Sequence, residues 1–113
     1  MYEYSAKIID VYDGDTFTFE VDLGFSIQVT EKLRLYGINT PEVRGSEKIF
    51  GKEVRDYVSD LILGKTVRLE VFKKGKFGRY IGKVWFAHNG IETDLTELLL
   101  SQEKGVEFMK YRG

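Results

Sequence analysis

Three short stretches of this chain carry the residue types from which a reactive site is built. The first is Asp13-Gly14-Asp15-Thr16, two carboxylates separated by a glycine. Alone it reads as an ordinary hairpin turn, because Asp-Gly is a common two-residue connection and aspartate tolerates turn conformations. The second is Arg34-Leu35-Tyr36-Gly37-Ile38-Asn39-Thr40-Pro41-Glu42. On an extended segment Arg34, Tyr36 and Ile38 share one face, which carries a guanidinium toward a turn holding Asn39, the Thr40 carbonyl and the Glu42 carboxylate. Pro41 biases Thr40 to an extended conformation and stiffens the exit from the strand. A plain strand terminus with exposed polar residues is the alternative, and Arg34 is the residue it explains least well. The third stretch, Lys73-Lys74-Gly75-Lys76-Phe77-Gly78-Arg79-Tyr80, is a charge run of the kind that usually solvates a hairpin loop. Its two glycines nevertheless let the backbone approach a ligand, and Arg79 offers a planar fork that can grip a phosphate bidentately.

Combined, the three supply carboxylates for a hard cation, a spare carboxylate for a general base and two arginines for a phosphate. That inventory matches metal-assisted phosphodiester hydrolysis, in which a doubly charged phosphorane is stabilised while a water is deprotonated. The chain has no cysteine and a single histidine, so no other nucleophile scheme competes. That histidine, His88, adjoins Asn89-Gly90 and reads as a loop residue.

The elements that must position these residues follow from their periodicity. Residues 3–12 and 16–23 are rich in β-branched and aromatic types, the second alternating Phe17, Phe19, Val21 and Leu23 with polar neighbours, and Asp13-Gly14 turns the chain between them. A long third strand is expected over Ser26 to Ile38, with a phase slip between Val29 and Leu33 that suggests a bulge around Thr30 to Lys32. After Pro41 the period changes: from Glu47, Phe50, Val54, Tyr57, Val58, Leu61 and Ile62 recur as one face of a helix about four turns long, with Gly64 at its C-terminal cap. Thr66 to Phe72 and Tyr80 to Ala87 return to strand patterning. Asp94, with Glu97 three residues on, caps a short leucine-rich helix. The order β-β-β-α-β-β-α predicts a mainly β protein with helices, an α+β fold built on a five-stranded OB-fold barrel. A split mixed sheet would want an earlier helical crossover.

Size and charge bound the rest. The 113 residues, 42% of them apolar, suit one domain covering 1–113. No apolar run reaches the roughly 18 residues of a membrane span, and Met1-Tyr2-Glu3-Tyr4-Ser5 lacks the pattern of an export signal. No membrane partner is expected; a cytoplasmic location is favoured, with a secreted mature form as the alternative. The net charge of -1 conceals a local asymmetry, since residues 65–83 hold 7 Lys/Arg against 1 Asp/Glu whereas residues 1–64 hold 7 against 12. A near-neutral total argues against a nucleic-acid coat held by charge alone.

These motifs resemble the staphylococcal nuclease (thermonuclease) family, OB-fold enzymes that cleave DNA and RNA with calcium. The shared features are Asp13-Gly14-Asp15-Thr16, Arg34 with Thr40-Pro41-Glu42, Gly51-Lys52-Glu53 at the helix, Phe77-Gly78-Arg79, and Asn89-Gly90 before the leucine-rich helix. The resemblance implies a Ca2+-dependent endonuclease, expected as a monomer, with DNA or RNA or both as substrate. It makes Asp15 a direct calcium ligand beside Asn39 and the Thr40 carbonyl, with Asp13 supporting the hairpin and the metal's surroundings. Glu42 would be the general base, and Arg34 and Arg79 would bind the scissile phosphate and stabilise the transition state. Lys76 and Phe77 would lie along the nucleotide's phosphate, and Tyr111 would stack near the base.

The chain departs from the family pattern at three places. Asn39 stands where a second calcium-binding aspartate is usual, which removes one negative charge from the ligand set. Phe77 replaces a tyrosine hydroxyl and Met109 an aromatic ring. The sequence ends at Gly113, before the third helix of the longest-studied member, so a less enclosed nucleotide pocket is expected. The competing reading is a nucleic-acid-binding OB module that is catalytically weak or inactive. The retained Asp15, Arg34, Glu42 and Arg79 favour the enzyme.

Overall fold

The structure is a computed structural model that describes residues 2–75 and 78–107. Alternating apolar residues build three consecutive antiparallel strands, β1 (Tyr2–Asp13), β2 (Thr16–Gly24) and β3 (Ile27–Leu35). A two-residue strand β4 (Ile38–Asn39) and a 3-10 turn (Gly45–Glu47) lead into helix α1 (Lys48–Ile62). Strands β5 (Thr66–Lys74), β6 (Arg79–His88) and β7 (Ile91–Asp94) follow, then helix α2 (Leu95–Ser101) and a two-residue strand β8 (Val106–Glu107). The large sheet runs β3-β2-β1-β5-β6-β7, and β3 also pairs in parallel with β6. That last pairing closes β1, β2, β3, β5 and β6 into a ring, the expected OB-fold-like barrel, and leaves β7 as an extra strand on β6.

Strand β1 can belong to two halves of the ring because it bends. Its N-terminal half pairs with β5 from Tyr2 to Lys7, its C-terminal half with β2 from Lys7 to Asp13, and register shifts at Ile8/Asp10 and Val11/Asp13 mark the bends. The bulge expected in β3 around Thr30 to Lys32 is absent: the β2–β3 register runs unbroken from Gln28 to Arg34. Val29, Leu33 and Leu35 keep one phase, with Glu31 on the same side as a polar member of an inward row. The true break is at Gly37, whose φ of 85° turns the chain and divides the expected long strand into β3 and β4. Consequently Arg34, Tyr36 and Ile38 do not share a face. Tyr36 is exposed and meets Phe72 edge-on at 5.4 Å, whereas Ile38 is fully buried.

The barrel interior is filled by Ile8, Phe17, Leu33, Leu35, Leu69 and Val84, all fully buried. Helix α1 adds Val54, Val58 and Ile62 to this core. Phe50 was expected on the same face but is 66% exposed. The buried stripe is instead centred on Gly51, where a Cβ would lie 1.8 Å from the Glu42 carbonyl oxygen. The helix therefore starts in backbone contact with Glu42, and that contact rotates Phe50 to the side. Gly64 follows the helix as expected, its N–H donating to the Ile8 carbonyl at 2.8 Å. Asp94 caps α2 by accepting from the Thr96 N–H at 2.9 Å. No helix among the described residues is long and apolar enough to cross a membrane.

Replacing Gly51 with alanine forces backbone apart rather than a flexible side chain. Gly51→Ala is expected to cost about 2–3 kcal/mol and to lower the thermal midpoint by roughly 10 °C or more. A thermal unfolding curve superimposable on that of the parent protein would mean that helix and Glu42 loop are not held this tightly.

Candidate active site

Closure of the barrel creates the site. The β3–β6 register pairs Lys32 with Arg79 and Arg34 with Ile81. Leu33 and Leu35 point inward, so Lys32 and Arg34 point out of the barrel; Tyr80 and Val84 pack on the core, so Arg79 also points out. Two arginines distant in sequence thus reach one patch of outer surface. Opposite them lies the β1–β2 turn, held over β3 by the Leu35 N–H donating to the Asp15 carbonyl at 2.8 Å.

Asp15 and Arg34 form the centre, both almost completely buried. Arg34 Nη1 lies 3.2 Å from Asp15 Oδ2 and donates to the Leu35 and Ile38 carbonyls at 3.0 and 2.8 Å. Its Nη2 donates to Asn39 Oδ1. Asp15 further accepts from the Thr40 N–H at 2.9 Å and the Thr16 hydroxyl at 3.1 Å. One guanidinium and one carboxylate thereby fix the hairpin tip, the end of β3 and the turn at β4 against each other.

A cleft of about 650 Å³ opens beside this pair, lined by Asp13, Asp15, Arg34, Asn39, Thr40, Glu42 and Arg79. Every candidate site residue within the described stretches therefore shares one cleft. Lys76, Phe77, Met109 and Tyr111 lie outside the described residues. Five further lining residues were not legible as site residues in the sequence: Glu47, Glu103, Lys104, Gly105 and Val106. Glu47 comes in through the 3-10 turn, its carboxylate accepting from the Glu42 N–H at 3.2 Å. The other four arrive because β8 pairs with β4, Val106 opposite Asn39. A two-residue pairing leaves no periodic trace in a sequence, so the return of the chain to this cleft was not legible there.

The oxygen donors around the cleft suit a hard cation: the Asp13 and Asp15 carboxylates, the Asn39 amide and Thr40, whose buried hydroxyl has no hydrogen-bond partner among the described residues. No group of three or more His, Cys, Asp or Glu side chains among the described residues is placed so that all could hold one metal ion. A cation held by this set would therefore rely on neutral oxygens and water for much of its shell. Asn39 also already spends its oxygen on Arg34, which an added carboxylate at that position would serve more strongly.

The surroundings of the hairpin tip also act on Asp13. Burial pushes its carboxyl up to about 7, and the neighbouring Asp15 side chain adds to the rise. In the unfolded chain the proton leaves near pH 4, so between pH 4 and 7 the folded protein holds more protons and its stability falls as pH rises. In chelator, Asp13→Asn should flatten that decline and leave the variant more stable than the parent at pH 8, as read by urea unfolding. An equal slope in both proteins would show that Asp13 is not the group responsible.

Comparison with known proteins agrees with the family resemblance. Residues 32–106, more than half of the chain, match the family described as staphylococcal nuclease homologue. The chain is 30% identical over 79 residues to an uncharacterized endonuclease of Escherichia coli O157:H7, covering 70% of this chain and 46% of that protein. It is 28% identical over 93 residues to an uncharacterized endonuclease of Haemophilus influenzae, covering 82% of this chain and 48% of the other. Over 54 residues it is 37% identical to a probable staphylococcal-like nuclease, CAN2, of Oryza sativa subsp. japonica, covering 48% of this chain and 14% of the plant protein. The chain spans about half the length of the bacterial relatives that it matches. With a closed OB-like barrel and a family match that runs from the end of β3 through α1, β5 and β6 to β8, this chain belongs to the staphylococcal nuclease homologue family.

Proposed function

We propose that the protein is a calcium-dependent nuclease that hydrolyses phosphodiester bonds of DNA, RNA or both. The observation that carries this reading is the convergence of Asp15, Glu42, Arg34 and Arg79 on one cleft. Names of relatives as endonucleases and nucleases support the same class of substrate.

In this mechanism the backbone phosphate enters the cleft between Arg34 and Arg79. Arg34 is already rigid, so its charge is preorganised, and little reorganisation accompanies the build-up of charge on the phosphoryl oxygens. Glu42, exposed at the cleft wall and braced by Gly51 and Glu47, takes a proton from water as its oxygen bonds to phosphorus. The phosphorus–oxygen bond on the far side breaks, its electron pair stays with the leaving oxygen, and Arg79 helps to stabilise that oxygen. Asp15, Asn39, the Thr40 carbonyl and Asp13 would hold the Ca2+. When bound, the ion would offset phosphate charge and polarise the phosphoryl group.

A specific feature favours a second reading. Asn39 Oδ1 is taken up by Arg34, and the donor set lacks a third carboxylate. Both fit an OB module that binds nucleic acid with little or no turnover. Cleavage of single-stranded DNA and of RNA in calcium, magnesium and chelator separates the two. Under the nuclease reading calcium supports cleavage, and Glu42→Gln lowers turnover by roughly 10²- to 10⁴-fold with nucleotide binding retained. Full activity in that variant would remove Glu42 from the chemistry. Asn39→Asp should tighten calcium binding, measured by titration calorimetry, because a carboxylate replaces an amide oxygen; equal affinity would mean that position 39 does not touch the ion.

A further inference from the structure

Arg79 borders a second depression besides the reactive cleft. This groove, about 320 Å³, lies on the outside of the barrel and is lined by Asp10, Tyr12, Thr18, Lys32 and Arg79 among others. The strand registers explain it. Arg79 on β6 pairs with Lys32 on β3, Lys32 with Thr18 on β2, and Thr18 with Asp10 on β1. All four side chains point away from the core, whose inward positions on these strands are Val11, Phe17, Phe19, Leu33 and Val84. They form one row across four adjacent strands, about 14 Å long at the usual strand spacing. Tyr12, 49% exposed, stands at the β1 end of that row.

We propose that this groove is a subsite for the stretch of polynucleotide flanking the reacting phosphate, with Lys32 contacting a neighbouring phosphate and Tyr12 stacking a base. The proposal rests on the nuclease reading for the position of the reacting phosphate. The row is long enough for about four nucleotides at the 3.4 Å rise of a stacked strand, and for fewer when the strand is extended. Its chemistry is polar along its length. The cationic end, Lys32 and Arg79, suits phosphate and joins the cleft directly. At the other end Asp10 would repel a phosphate but can accept from a sugar hydroxyl or a base N–H. A base stacked on Tyr12 gains affinity without sequence preference, because every base has a π-face.

The test compares a single-stranded DNA of about 12 nucleotides, within the span an OB fold covers, with a dinucleotide too short to reach Tyr12. Both are cleaved in calcium, and binding of the longer strand is followed by fluorescence anisotropy. Tyr12→Ala should raise KM for the longer strand roughly tenfold, with the effect confined to that substrate, and Tyr12→Trp should restore it. Lys32→Ala should weaken binding of the longer strand and reduce the slope of log affinity against log salt by about 0.7. Parental KM and salt slope in both variants would overturn the subsite while leaving the nuclease reading intact. If the parent protein binds the longer strand without cleaving it, the nuclease reading fails, and a roughly tenfold loss of binding in Tyr12→Ala still supports the subsite. Failure of the parent protein to bind that strand overturns the subsite as well.

Discussion

The site depends on one buried ion pair. Arg34 and Asp15 are withdrawn from water almost entirely, which is costly unless every charge is paired and hydrogen-bonded. Here the debt is met by geometry: Arg34 satisfies two carbonyls, a carboxylate and an amide, and Asp15 accepts from a backbone N–H and a hydroxyl besides. Removing either partner would strand the other as an uncompensated buried charge, a change typically worth about 3–5 kcal/mol. The pair serves less to add net stability than to lock three separate segments into one arrangement. Rigidity of that kind is what a site needs if its charges are to be in place before a substrate arrives.

Barrel closure is the condition for this pair and for its surroundings. The bulges in β1 let one strand hydrogen-bond to both halves of the ring, and the ring brings β3 and β6 together in parallel. Strand alternation then does the sorting: apolar side chains fill the interior, and Lys32, Arg34 and Arg79 are left on the outer face of the barrel next to the hairpin tip, where Arg34 is covered by Asp15 and the β4 turn. Cleft and outer groove are two parts of that surface, divided by Arg79. A basic segment and an acidic one, far apart in sequence, meet for the same reason, which reconciles a nearly neutral chain with a strongly polar site.

Backbone contacts set the finer geometry. Glu42 is placed by the absence of a side chain at Gly51 and by a hydrogen bond from its backbone N–H to Glu47. Asn39 is placed by Arg34 and by β8 lying alongside it. The Asn39 side chain is therefore part of the scaffold, so any ligand role it takes in the proposed nuclease is coupled to the rigidity of this turn.

The sequence by itself determined the order of the five barrel strands and the two helices, the capping of α2 by Asp94, the turn at Asn89-Gly90 and seven of the residues that line the cleft. These are local matters: period-two and period-3.6 patterning, turn chemistry and motif composition are written in neighbouring residues. It misplaced the break in the third strand and the buried face of α1, because both are decided by contacts between distant segments. The turn at Gly37 lets the Ile38 carbonyl reach Arg34, and Gly51 abuts the Glu42 backbone. Only the tertiary structure decided that Arg34 is buried against Asp15, that Glu47 and the segment around Gly105 border the cleft, and that Lys32 and Tyr12 lie on one outward groove with Arg79. Each of those depends on strand register across the closed ring or on a two-residue pairing, and neither leaves a periodic signal along the chain.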